Sequence, residues 1–121
     1  MLNDLILVVD DEANIRETIA FILEMEGYDV ILASNGEEAL SQLREHKPKF
    51  MILDVMMPKK NGYEVAKEIR EDKEFEDLYI LILTAKGQSI DESDAIKSGA
   101  DSYMTKPFDD DMILELIKEK F

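Results

Sequence analysis

Short apolar runs alternate with amphipathic helical stretches along this chain, and four of the runs end in, or run into, a side chain with chemistry of its own. Leu5 to Val9 runs into Asp10 and Asp11, Phe50 to Leu53 into Asp54, Tyr79 to Leu83 into Thr84, and Ser102 to Thr105 into Lys106. Regular βα alternation of this kind folds as a parallel sheet with right-handed crossovers and helices on both faces. The carboxyl ends of all strands then share one edge, so residues far apart in sequence gather into one small site.

The expected strands are 5 to 9, 29 to 33, 50 to 54, 79 to 83 and 102 to 105, each short, β-branched or aromatic, and bounded by turn residues. In the first helix Ile15, Ile19, Ile22 and Leu23 recur at helical spacing, and Gly27 is placed to end it. Ser34-Asn35-Gly36-Glu37 reads as the capping box of the second, which carries Ala39, Leu40 and Leu43 on one face. The third runs from about Gly62 through Val65, Ala66 and Ile69, with Asn61 as its cap. A fourth opens near Ser89-Ile90-Asp91-Glu92 and has few apolar residues beyond Ile90, Ala95 and Ile96, so it is expected to be loosely held. The fifth starts at Asp109, with Asp110 and Asp111 complementing the dipole in its first turn and Lys118 and Lys120 in its last. Phe108 and Ile113 stand at hydrophobic-staple spacing around that start. Its buried stripe is expected to be Met112, Ile113, Leu116 and Ile117, which leaves Leu114 outside.

Strands 1, 3 and 4 are the most continuously apolar and belong in the middle of the sheet, whereas strands 2 and 5 are interrupted by polar residues and suit its edges. The order 2-1-3-4-5 satisfies this. The expected fold is α/β, a doubly wound five-stranded parallel sheet; its flavodoxin-like order, with the topological switch between strands 1 and 3 beside Asp10, Asp11 and Asp54, is implied by the family resemblance of the motifs as well as by this pattern.

Carboxylates gathered at such distances repel and demand a cation among them. Lys106 alone cannot neutralise Asp10, Asp11 and Asp54. A hard divalent ion, Mg²⁺ before others, is the natural remedy, since it binds through one or two carboxylates and keeps waters and phosphate oxygens as its other ligands. The site thus reads as one that handles a phosphoryl group, with Asp54 as the nucleophile. An unperturbed aspartate is ionised at neutral pH, so it needs no general base, only cations that reduce repulsion from the incoming oxygens. Each residue also has a plain structural role open to it: a turn cap for Asp54, a helix cap for Asp10 or Asp11, a β-branched strand residue in Thr84, a solvated cation in Lys106. None of these roles accounts for the whole set arriving at one edge.

At 121 residues the chain is read as a single domain, 1–121, large enough to bury one core without staples. It has no cysteine, which closes disulfide and thiolate-metal readings. A formal charge of −14 argues against direct nucleic-acid binding by this chain, because phosphate backbones are held by clustered Lys and Arg. No apolar run approaches the ~20 residues of a membrane span, and Met1-Leu2-Asn3-Asp4 lacks the basic start of a signal peptide, so a cytoplasmic location is expected. His46 lies near the end of the second helix, where it can meet the terminal carbonyls, and is read as structural and not as a phosphodonor.

Taken in order, Val9-Asp10-Asp11-Glu12, Leu53-Asp54-Val55-Met56-Met57-Pro58, Asn61-Gly62, Leu83-Thr84-Ala85-Lys86-Gly87, Gly99-Ala100-Asp101-Ser102-Tyr103 and Lys106-Pro107-Phe108 make the chain resemble the receiver domain of two-component response regulators, with its CheY-like fold, over nearly its whole length. That resemblance implies an aspartyl-phosphate switch and not a conventional enzyme, although one that assists its own phosphorylation and hydrolysis. Asp54 would be the phosphoacceptor. Asp11 would bind Mg²⁺ or Mn²⁺ directly, Asp10 mainly through water, and the backbone carbonyl of Met56 would supply a further ligand. Lys106 would pair with Asp54 and then with its phosphate, Thr84 would move toward the phosphoryl oxygens, and Tyr103 would be the switch aromatic, unless it is a buried core tyrosine. Met56 and Lys86 would tune phosphate lifetime. The implied partners are a histidine kinase or histidine phosphotransfer protein as donor, and a downstream protein or effector domain on the face of the fourth helix, fifth strand and fifth helix.

Two other classes share parts of this pattern. A haloacid-dehalogenase-like phosphatase also places an aspartate nucleophile on a parallel sheet, but carries a second aspartate two residues on, where this chain has Met56. A flavodoxin-like flavin carrier has a phosphate loop rich in Ser, Thr and Gly after strand 1, where this chain has Asp10-Asp11-Glu12. A phosphorylation-independent interaction module would have no need of the full reactive set.

Overall fold

In the computed structural model, which describes residues 5–55, 62–84, 97–105 and 110–120, the elements are β1 (Leu5–Val9), α1 (Ala13–Met25), β2 (Asp29–Ala33), α2 (Gly36–His46), β3 (Phe50–Asp54), α3 (Gly62–Arg70), a 3₁₀ turn (Lys73–Phe75), β4 (Tyr79–Thr84), β5 (Ser102–Thr105) and α4 (Asp110–Lys120). The five strands are all parallel, in the order β2-β1-β3-β4-β5. The fourth helix expected from the sequence, near Ser89, lies outside the described residues, as do Asn61, Phe108 and Asp109 at the expected starts of the third and fifth; α4 is that fifth helix. Burial is in keeping with this order. Every residue of β3 is buried, and β1 is buried from Ile6 onward, whereas β2 and β5 are partly exposed. At the free edge of β2, the Gln42 side-chain amide donates to the Leu32 carbonyl at 3.0 Å and so caps part of an open ladder.

Because strand side chains alternate, the sheet divides the interior into two cores. Leu7, Val9, Met51, Leu53, Ile80 and Ile82 point to one face and pack with Ala39 and Leu43 of α2 and Val65, Ala66 and Ile69 of α3. Ile6, Val8, Phe50, Ile52, Leu81 and Leu83 point to the other and pack with Ile19 and Leu23 of α1 and Ile113 and Ile117 of α4. Each such aliphatic side chain contributes about 1.5–3 kcal/mol relative to exposure, so the three central strands carry most of the driving force. The lower rim is closed by the stacked rings of Phe50 and Tyr79, 5.0 Å apart, with the Lys120 ammonium 5.4 Å above the Tyr79 ring.

The helix ends obey local chemistry, with one shift from the sequence reading at the start of α2, and the buried faces of α1 and α4 depart from it at single residues. Gly27 ends α1 as expected, its N–H donating to the Glu24 carbonyl at 3.0 Å while the Tyr28 N–H reaches the Leu23 carbonyl at 3.2 Å, the paired bonds of a Schellman motif. The capping box of α2 lies one residue later than Ser34 and Glu37: Asn35 is the cap, accepting from the Glu38 N–H at 2.9 Å. The Glu38 carboxylate accepts from the Ser34 N–H at 2.8 Å and from the Ser34 hydroxyl at 2.9 Å. These bonds, the backbone one foremost, hold the Glu38 carboxyl below its ordinary range, with a smaller contribution from the Arg16 guanidinium. In α1, Ile22 is only half-buried beside the buried Ile19, Ala20 and Leu23. In α4 the exposed apolar residue is Met112, at 52% exposure, while Leu114 packs partly against the core.

Arg70, the last residue of α3, ties three segments together. Its Nε donates to the Gly99 carbonyl at 2.7 Å, its Nη1 to the Phe75 carbonyl at 2.8 Å and its Nη2 to Asp101 Oδ2 at 2.6 Å. The same Asp101 oxygen accepts from the Ile80 N–H at 2.8 Å, so the start of β5 is joined to β4 and α3 at one point. Gly99 lies at φ +99, and a Cβ there would fall 2.4 Å from Arg70 Cγ, so the tie leaves no room for a side chain. Replacing Arg70 by Ala is expected to lower stability by about 2–3 kcal/mol, since a carboxylate and two carbonyls lose a charged donor together. A fall in the urea midpoint at unchanged m-value is the check; an unchanged midpoint would show that the fork contributes nothing.

Candidate functional site

β1 and β3 pair with Val9 opposite Leu53, so the next residues, Asp10 and Asp54, stand side by side at the carboxyl edge. Here the sheet order reverses, with β2 on one side of β1 and β3 on the other. One carboxylate oxygen from each of Asp10, Asp11 and Asp54 lies within 4.8 Å of the others. Asp10 is 1% and Asp54 3% exposed, while Asp11 is open to solvent. Two of the three charges are thus withdrawn from water next to one another, a costly arrangement unless a cation joins them. Oxygens that ligate one small divalent ion at about 2.1 Å can stand no more than about 4.2 Å apart, so the spacing of this set is close to what one ion takes, through direct ligands or with a water between.

The loop after β1 is held by its own bonds. The Asp10 N–H donates to the Ala33 carbonyl at 3.2 Å, and the Asp10 carbonyl accepts from Arg16 Nη1 at 2.7 Å. Asp10 Oδ1 accepts from the Glu12 N–H at 2.9 Å. Asp10 therefore braces the turn that leads into α1 without capping the helix, since Glu12 stands at the N-cap with no side-chain cap bond, and it contributes to the acid cluster as well. On the far side of Asp54, the Val55 N–H donates to the Leu83 carbonyl at 3.0 Å and the Gly62 N–H to the Val55 carbonyl at 2.9 Å. A Cβ on Gly62 would fall 2.6 Å from the Asp54 carbonyl oxygen and 3.0 Å from Val55 Cα, so α3 approaches the acid strand as closely as only glycine allows.

Thr84 is the last residue of β4 and pairs with Thr105, the last of β5. Since Asp54 pairs with Leu83, Thr84 falls at the same edge. Met56 and Lys106 lie outside the described residues, each directly following a described one, Val55 and Thr105. Tyr103, on β5, pairs with Ile82 of β4 and is 36% exposed, so it is a surface residue and not a core tyrosine. His46 lies 3.2 Å from Glu45, at the opposite end of α2 from its capped N-terminus. Arg16 and the close approach of Gly62 were not read from the sequence: an arginine in a first helical turn is unremarkable there, and Asn61-Gly62 reads first as a cap.

The profile of the response regulator receiver domain family matches residues 6–118. The chain is 50% identical over 107 residues to the alkaline phosphatase synthesis transcriptional regulatory protein PhoP of Bacillus subtilis, a match covering 88% of this chain and 44% of that protein. It is 43% identical to the phosphate regulon transcriptional regulatory protein PhoB of Pseudomonas aeruginosa, over 89% of this chain and 47% of that one. The chain thus spans less than half the length of these relatives. Among solved structures, a response regulator from Chloroflexus aurantiacus superimposes with TM-score 0.90 at 34% identity, covering 96% of this chain and 95% of the other. The response regulator TrrA of Thermotoga maritima, solved in complex with Mg²⁺ and BeF, does so with TM-score 0.85 at 43% identity, covering 97% and 98%.

If the clustered carboxylates repel as their spacing requires, Asp54→Asn should be more stable than the wild type in the presence of chelator, by on the order of 1 kcal/mol, as residues kept for function against stability often are when replaced. Urea unfolding in EDTA measures this, and added Mg²⁺ should narrow the gap by stabilising the wild type. A variant less stable than the wild type in EDTA would contradict the repulsion.

Proposed function

The chain belongs to the response regulator receiver domain family, and from that premise we propose that it works as a phosphorylation-controlled switch whose acceptor is Asp54. The observation that carries this reading is the burial of Asp54 at the end of a central strand, within 4.8 Å of the Asp10 and Asp11 carboxylates. A carboxylate oxygen of Asp54 attacks the phosphorus of a phosphohistidine; the P–N bond breaks, its electron pair stays on the imidazole, and Asp54 becomes an acyl phosphate. Asp54 and Asp11, with the Met56 carbonyl and with Asp10 through water, would hold Mg²⁺ or Mn²⁺, which supplies the positive charge that lets a phosphoryl dianion approach three carboxylates. Lys106 adds a second positive charge beside the phosphoryl oxygens, and Thr84 donates a hydrogen bond to one of them. The phosphoryl group stays on the protein's own side chain until water removes it, so the domain turns over no external substrate as a conventional enzyme does.

The donor we propose is a histidine kinase or histidine phosphotransfer protein. The output is a protein contact on the surface that contains β5 and α4, where Tyr103 and Met112 are exposed. Relatives named as transcriptional regulators are more than twice as long as their match to this chain, which supports an effector portion in a longer protein as the reader of that surface. No helix among the described residues is long and apolar enough to cross a membrane, in keeping with a cytoplasmic site of action. Neither the phosphatase nor the phosphorylation-independent alternative is favoured by this family membership.

Incubation with acetyl phosphate and Mg²⁺ should add one phosphate to the wild type and none to Asp54→Asn, read by intact-protein mass spectrometry, and chelation should abolish the reaction. Labelling of the variant at the wild-type rate would overturn the assignment of Asp54. Beryllofluoride should shift amide resonances along β5 and α4, Tyr103 included. Changes confined to residues around Asp10, Asp54 and Thr84 would rule out that output surface.

A further inference from the structure

The Asp10 peptide groups are gripped from both sides. The Ala33 carbonyl holds the Asp10 N–H at 3.2 Å, and the Arg16 guanidinium holds the Asp10 carbonyl at 2.7 Å from a half-buried position on α1. The first bond orients the peptide before Asp10 and the second the peptide after it, so together they set both backbone torsions of that residue. Those torsions decide where the Asp10 side chain points and where Asp11 begins. Arg16 also belongs to a closed circuit. Its own N–H donates to the Glu12 carbonyl at 3.0 Å, and the Glu12 N–H donates to Asp10 Oδ1 at 2.9 Å.

We propose that Arg16 is a positioning residue for the acid cluster, holding the Asp10 carbonyl so that the carboxylates of Asp10 and Asp11 converge with that of Asp54. The inference rests on the receiver reading of the site. It has a sign that a mere charge effect lacks. A guanidinium this close to a cation site repels the cation, so if Arg16 acted only through its field, removing it would tighten Mg²⁺ binding. If Arg16 acts by orienting Asp10, removing it weakens binding, by about tenfold where an outer partner that orients a ligand is lost. The bond itself is of the strong kind, a charged donor on a partly buried carbonyl.

The test is calorimetric titration of Mg²⁺ into the chelator-stripped wild type, Arg16→Ala and Arg16→Lys, with the amide resonance of Glu12 followed before any metal is added. Arg16→Ala should bind Mg²⁺ about tenfold more weakly despite having lost a positive charge. Its Glu12 amide should move in the metal-free protein, and Arg16→Lys should recover part of both. Equal or tighter binding by Arg16→Ala, or a Glu12 amide that stays in place, overturns the positioning role. Should Arg16→Ala not fold, Arg16→Lys carries the same comparison, since it keeps the charge but loses the planar fork. A wild type that binds no Mg²⁺ overturns instead the receiver reading, and so is told apart from a variant that binds as a competent wild type does.

Discussion

Because β1 pairs with β3, two strands separated in the chain by a helix, an edge strand and another helix end side by side, and Asp10 and Asp54 are brought to one point. Both strands are buried on both faces, so polarity does not distinguish one register from the next as it does in a half-solvated sheet. The ends of the strands distinguish it instead. At the lower rim the Lys49 N–H donates to the Leu5 carbonyl at 3.2 Å and the Tyr79 N–H to the Lys49 carbonyl at 3.1 Å, while the rings of Phe50 and Tyr79 stack. At the upper rim a slip of one residue would draw Asp10 or Asp54 into the apolar interior, at the cost of burying a charge without partners. The clustered acids are thus also the markers that hold the strands in step.

The cluster sets its own stability against its function. Two nearly buried carboxylates beside a third cannot lower the free energy of the fold by themselves. Around them stand rigid supports: the Asp10 peptide held by Ala33 and Arg16, and Gly62 packed on the Asp54 carbonyl. The supports keep the repelling groups in place when no ion is present. Should the cluster take up an ion, as proposed, groups already held in this way would need little rearrangement to accept it.

Much of this was legible in the sequence, because the signals involved are coarse and repeated. Which strands are central followed from which runs are apolar on both faces, whereas their full order, and with it the meeting of Asp10, Asp11 and Asp54 at the switch point, leaned on the family resemblance as well. What was not legible turns on single-residue choices between equivalent groups. Ser34 and Asn35 are both good caps, and Glu37 and Glu38 both suitable partners, so composition could not tell which pair closes the box of α2. Met112 and Leu114 are both apolar, and only the packing of α4 on the sheet shows Leu114 turned partly inward and Met112 outward. Arg16 and Arg70 look like any surface arginine until the carbonyls they hold are located in space. Lys106 and Met56 stand outside the described residues, so their parts rest on the sequence and on family membership.

The sheet that gathers the acids is also a partition. Its three central strands separate the side chains packed with α2 and α3 from those packed with α1 and α4. Energetic coupling between substitutions falls off when they share no neighbours. The two compartments can therefore drift independently over evolutionary time, an altered volume beneath α1 being compensated by α4 and not by α3. A lineage could recast the helices on one side while the other stays as it was, and the upper rim, anchored to the strands themselves, would keep its chemistry through either change.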